Sequence, residues 1–170
     1  MWRALTDLLR LLQAKCNEEA RYQTFFERHP VIFRALGFDR YASFEKSSGN
    51  VLPFDTEKGY TPEPDFLCAQ TGAGQLTVFE LKTPFVGDIT TSRSDGNRLE
   101  FKATAETYLS QAREYVQSIR GNVAARQEVM RVLDLPAIAD YDIVLVYGLG
   151  QEWEWLALGG SIRGRTPAPP

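Results

Sequence analysis

The sequence predicts an α/β fold: a central mixed sheet of about four or five strands with helices on both faces. Three observations point there. Residues 66–81 place apolar, aromatic and β-branched flanks around Thr71-Gly72-Ala73-Gly74, the pattern of a β-hairpin. The run Ile143-Val144-Leu145-Val146 is continuous and apolar, as a buried strand requires. Between these lie helical repeats with apolar positions three and four residues apart.

The elements follow in order. Trp2, Leu5, Leu9, Leu12 and Cys16 keep helical spacing, as do Tyr22, Phe25 and Phe26. Asn17 is placed to split this stretch by capping a second helix. His29-Pro30 ends it, with His29 as a loop or cap residue. Pro30 suits the first position of a short helix over 31–36, which Gly37 terminates. Residues 41–45 and 51–54 read as short strands around Ser47-Ser48-Gly49-Asn50. After the hairpin, residues 85–97 form a long segment rich in Ser, Thr, Gly and Asp, equally a lid over a site or a flexible loop. Phe101, Ala105, Tyr108, Ala112, Tyr115, Val116 and Ile119 define a long amphipathic helix over 99–119. Gly121-Asn122 opens another, running to about residue 133. Pro136 precedes the apolar strand over 141–147. Trp153 and Trp155 alternate with Glu152 and Glu154 as a half-buried strand. The Gly-, Arg- and Pro-rich tail after Gly159 is expected to be disordered. Residues 1–158 are therefore read as one domain, with 1–28 as its N-terminal helical segment and 159–170 as a tail.

Composition narrows the function classes. A chain of 170 residues, 44% hydrophobic, fits one domain with a real core. No apolar run is long enough to span a membrane, and the N-terminus lacks a signal-peptide pattern, so a cytoplasmic location is expected. Cys16 and Cys68 are the only cysteines and His29 the only histidine. That inventory excludes a tetrahedral Cys/His zinc site within the chain and any disulfide framework. The net charge of −3 does not announce a nucleic-acid binder. Local positive charge could come from Arg93, Arg98, Lys102, Arg113 and Arg120, each of which also fits an ordinary solvated helix face.

The chemistry concentrates in the hairpin. If Gln70 and Gln75 close a four-residue loop, Asp65 falls directly opposite Glu80. Alternation then puts Asp65, Glu80 and Lys82 on one face. Opposed carboxylates about 5 Å apart at Cβ repel, so a cation between them is expected. Mg²⁺ suits that position, because it accepts one or two carboxylates and keeps its waters. A structural Lys82 ion pair with Glu80 or Asp65 at a sheet edge is the alternative.

Pro64-Asp65, Glu80-Leu81-Lys82 and Gln111-x-x-x-Tyr115 resemble the motifs of the PD-(D/E)xK nuclease superfamily, with its restriction-endonuclease-like core. The wider run resembles the nuclease domain of Shedu-type anti-phage defence proteins: Glu19, Tyr22-Gln23, Phe25-Phe26-Glu27, His29-Pro30, Pro64-Asp65-Phe66, Phe79-Glu80-Leu81-Lys82, then Gln111 and Tyr115. This resemblance covers most of the chain. It implies a Mg²⁺-dependent (or Mn²⁺-dependent) deoxyribonuclease with DNA as partner. Asp65 and Glu80 would be metal ligands, Lys82 the catalytic lysine, and Gln111 a helper. Glu19 or Glu27 would supply a further acidic group. Other domains or partner subunits of a defence system, and a homo-oligomer, fit the same reading. Two rivals stand beside it: a catalytically silent module binding DNA ends or a protein, and a regulatory or oligomerisation domain using the N-terminal Leu/Trp stripe.

Overall fold

A computed structural model describes residues 1–44, 48–84, 90–92, 99–101 and 103–147. Three helices come first: α1 (Trp2–Gln13), α2 (Glu19–Arg28) and α3 (Val31–Ala35). Strands β1 (Arg40–Ser43), β2 (Phe66–Gln70) and β3 (Gln75–Leu81) follow, then the short β4 (Thr90–Ser92) and β5 (Leu99–Phe101). Helices α4 (Ala103–Gly121) and α5 (Val123–Leu133) lead into β6 (Asp140–Val146). The main sheet is mixed, in the order β1-β2-β3-β6. β1, β2 and β3 are antiparallel neighbours, whereas β6 runs parallel to β3. Helices cover both faces, as expected.

The hairpin register follows from local chemistry. Gln70 pairs with Gln75, and Gly74 takes the left-handed conformation (φ 62°) that closes the short 3₁₀ turn Thr71–Ala73. The backbone carbonyl of Gly74 also accepts from the amide of Ala139 at 2.8 Å, which ties the turn to the start of β6.

Strand alternation divides the core in two. On one face Leu67, Ala69, Leu76 and Val78 pack against Ala112, Tyr115 and Ile119 of α4 and against Val129 and Leu133 of α5. On the other, Phe66, Cys68, Phe79 and Leu81 meet Tyr22, Phe25 and Phe26 of α2, with Phe33 of α3. Phe33 is fully buried and lies 5.0 Å from Phe66, 5.3 Å from Phe79 and 5.7 Å from Phe26 between ring centroids. These offset and edge contacts suit the aromatic quadrupoles.

Several boundaries differ from the sequence reading. α2 starts after Glu18, not after an Asn17 cap, and Glu18 makes no side-chain cap bond. Asn122 does cap α5: its side-chain oxygen accepts from the amides of Ala124 and Ala125 at 2.9 and 3.2 Å. Residues 51–54 form no strand. Pro53 has no N–H to give a ladder, Leu52 alone is buried, and a turn follows, bridged between Asp55 and Tyr60. Leu99–Phe101 carries the spacing of the long helix, but it pairs as β5 with β4, and the helix starts at Ala103. A three-residue apolar-polar-apolar run fits either period, so periodicity alone cannot place it. The segment expected to be a loop over 85–97 thus contains β4. β6 is only half-buried, being outermost among the described strands. His29 caps the end of α2, and its Nε2 lies 3.0 Å from Asp7 Oδ2 of α1. The readings of Trp153, Trp155, the tail, Arg93, Arg98 and Lys102 lie outside the described residues. No described helix is long and apolar enough to cross a membrane.

Candidate active site

Asp65 immediately precedes β2, and Lys82 immediately follows β3, where its amide still donates to Val146 at 2.9 Å. Phe66 pairs with Phe79, so the next step of the register sets Asp65 opposite Glu80. The Asp65 carboxylate folds back to accept from the Leu81 amide at 2.6 Å. Glu80 shares its side of the strand with Leu76 and Val78, the side that α4 covers. This places the carboxylates at one end of a central strand, under a helix, where leaving charge unpaired is costly.

Lys82 answers that charge. Its Nζ lies 2.9 Å from Glu80 Oε1 and 3.4 Å from Glu19 Oε1, and it sits 5.3 Å from the Tyr108 ring centroid. Glu19 opens α2, on the opposite face, and reaches round the end of the sheet. Glu27, eight residues further along α2, is exposed. Between the two acidic candidates, Glu19 is the one that meets the lysine.

The electrostatics follow from burial. Glu80 is 2% exposed. Burial, then the charge of Glu80, pushes the Asp65 carboxyl up to about 7. Burial also raises Glu80, against the pull of Lys82. Burial works against the Lys82 ammonium, yet Glu80, Glu19 and Asp65 together hold it above its ordinary value, so it stays charged. Tyr115 is pushed up to about 12, first by burial, with the charges of Glu80 and Asp65 adding. Glu80 Oε2 is buried and, among the described residues, has no hydrogen-bond partner. Such an orphaned anionic oxygen, next to an Asp65 carboxyl that holds its proton to near neutrality, is where a cation would relieve the most strain.

Gln111 lies on α4, on Glu80's side of the sheet. Its Nε2 donates to the Tyr115 hydroxyl at 2.8 Å. Among the described residues no hydrogen bond joins it to Asp65, Glu80 or Lys82; its bond to Tyr115 sets it beside the site, where the charges of both carboxylates reach that hydroxyl. Two further residues belong to the constellation. Tyr108 belongs to the apolar stripe in the sequence, and one helical turn before Gln111 its ring faces Lys82 at the same end of β3. Gln23, buried on α2, donates to Ser43 Oγ at 3.0 Å and to the Asp65 carbonyl at 3.2 Å, holding the turn into β2 in place. A polar side chain within the Tyr22–Phe26 apolar face was the available signal for it.

Among the described residues no group of three or more His, Cys, Asp or Glu side chains is arranged to hold a metal ion. The acidic set is two carboxylates, with Glu19 engaged by Lys82. Two carboxylates are enough for a Mg²⁺ ion that retains its waters.

Comparison with curated proteins and with solved structures finds no significant match. Residues 16–145 match the family described as Shedu protein SduA, C-terminal. That span contains every residue of the constellation, from Glu19 through Asp65, Glu80 and Lys82 to Gln111 and Tyr115, and covers most of the described sheet and helices: the chain belongs to the Shedu SduA C-terminal family.

Proposed function

We propose that this domain is a metal-dependent deoxyribonuclease of the PD-(D/E)xK type acting in anti-phage defence. Membership of the Shedu family supports the defence role. One observation carries the chemistry: Asp65, Glu80 and Lys82 converge at the end of a central strand, and Glu80 Oε2 is buried there with no partner among the described residues. DNA is the proposed substrate.

Asp65 and Glu80 would hold Mg²⁺, or Mn²⁺ in its place. When bound, such an ion supplies positive charge to a phosphoryl oxygen and acidifies water. The remaining work belongs to the chain. Lys82, drawn to Glu80 and Glu19, would orient or help deprotonate water and stabilise developing negative charge. Its ammonium can turn from Glu80 towards a phosphate without leaving the site, because Glu19 and the Tyr108 ring hold it from other directions. Gln111 fixes the Tyr115 hydroxyl and offers its amide to a phosphate oxygen or water. Gln23 fixes the backbone that presents Asp65.

A second reading rests on the same pair: a Lys82–Glu80 bridge at 2.9 Å that serves only stability, in a binding module without chemistry. Incubation with linear, circular and single-stranded DNA, in Mg²⁺ and in EDTA, separates the two. Cleavage in Mg²⁺ alone, lost in Asp65→Asn and in Lys82→Ala with the fold verified by circular dichroism, is the expected result. Metal-independent cleavage, or full activity in either variant, would overturn the proposal.

A further inference from the structure

Between α4 and the outermost described strand β6 runs an open groove of about 300 Å³, lined by Arg113, Gln117, Arg120 and Tyr141 among others. Arg113, Gln117 and Arg120 stand four and three residues apart, so they form one stripe along α4. Seven residues at 1.5 Å rise separate the two guanidinium bearers by about 10 Å along the helix axis. One strand of a duplex carries a phosphate about every 3.4 Å of helix axis, so the stripe spans about three phosphates.

The groove is built as well as basic. The Arg120 guanidinium packs over the Tyr141 ring, 4.7 Å from its centroid, and among the described residues no carboxylate pairs with it. Its planar face is therefore held while its N–H edges remain free to donate. Lys58 Nζ donates to Gln117 Oε1 at 3.2 Å, which brings a third cation to the stripe. The nearest acids do not cancel this set. Glu106 meets Arg113 at 3.7 Å, but both are more than half exposed, and such a pair gives way readily to phosphate. Asp142 also lines the groove, but its Oδ1 accepts from the Ile143 amide at 2.8 Å, and it is one carboxylate beside three cations. α4 connects this groove to the candidate site, since its earlier turns carry Tyr108 and Gln111 beside Lys82 and Tyr115.

We infer that the α4–β6 groove holds the sugar-phosphate backbone of the DNA strand beyond the Asp65–Glu80–Lys82 site. The inference rests on the nuclease reading for the identity of the strand. Arg113 and Arg120 contact phosphates, Gln117 bridges between them, and Tyr141 stiffens Arg120. The contacts are to backbone, so the groove is indifferent to base sequence.

The test is the salt dependence of duplex binding, measured by fluorescence anisotropy in EDTA between about 50 and 200 mM salt, beside a cleavage assay in Mg²⁺. Each phosphate contact contributes about 0.9 to the slope of log K against log salt, so Arg113→Ala/Arg120→Ala should flatten that slope by about 1.8. Arg113→Ala alone, which leaves the Arg120–Tyr141 packing in place, should flatten it by about 0.9 and keeps the test open if the double variant melts early. Wild-type slope and affinity in both variants, with wild-type protein cleaving DNA, would overturn the groove and leave the nuclease reading standing. A wild-type protein that neither binds nor cleaves DNA would overturn both.

Discussion

Lys82 Nζ lies 2.9 Å from Glu80 Oε1, with the two side chains only 9% and 3% exposed. This is an interior ion pair at the end of a central strand, not the exposed edge pair that the alternative reading expects. Its cost and its use are linked: the charges are expensive to bury, and both are placed where a phosphate and a metal ion could replace their partners.

Lys82→Ala should therefore weaken the metal-free protein as well as abolish cleavage. Removing one partner of a buried pair typically costs about 3 kcal/mol or more, because the other charge is left unpaired. Glu80→Gln should be far milder, since it also removes the repulsion between Glu80 and Asp65. In urea denaturation the Lys82→Ala/Glu80→Gln double variant should regain most of the loss. Additive losses would show that the two side chains do not act as a pair.

Acidity offers a second check. Asp65 in the folded state is pushed up to about 7, against an ordinary value of 3.8. Between those values the folded state binds a proton that the unfolded chain has released. The Asp65 contribution to stability is thus fully present below about pH 4, declines as pH rises towards 7, and is level above that. The slope can reach about 1.4 kcal/mol per pH unit for one proton. Asp39, Asp55 and Glu128, whose carboxyls are held low, work in the opposite direction. The measurement is therefore the difference between wild type and Asp65→Asn in metal-free urea titrations from pH 4 to 8. Parallel curves would contradict the raised value.

Gln23 tests the support of the site. Gln23→Ala removes the bonds to Ser43 Oγ and the Asp65 carbonyl, and should cost about 1–3 kcal/mol as buried groups lose partners. It should also shrink the rise in melting temperature that Mg²⁺ produces, because Asp65 is presented less firmly. An undiminished Mg²⁺ shift would reduce Gln23 to a purely structural role.

Phe33 tests the scaffold alone. It is fully buried among Phe26, Tyr41, Phe66 and Phe79, and Phe33→Ala should cost about 3–5 kcal/mol. Phe33→Leu should recover a large part of that in chemical denaturation. Equal losses in both would mean that ring geometry, not filled volume, sets the cost.

By itself the sequence determined what depends on near neighbours. Loop length and strand alternation place Asp65 opposite Glu80, and the Gly74 turn holds that register, because a hairpin closes within a few residues. Helical spacing placed α4 and its Tyr115 anchor, and the choice of Asn122 as a cap needed only the next turn of chain.

Tertiary structure decided what depends on distant segments. Whether Glu19 or Glu27 belongs to the site turns on how α2 crosses the sheet, and only the packing of Phe25 and Phe26 against Phe66 and Phe79 brings its first turn to Lys82. Leu99–Phe101 became a strand because β4 was there to pair with it, and residues 51–54 did not because Leu52 alone found a core. The interior placement of the Lys82–Glu80 pair arises the same way. α4 and β6, which enclose one side of it, follow more than twenty and more than fifty residues later, and burial is a property of what packs around a residue.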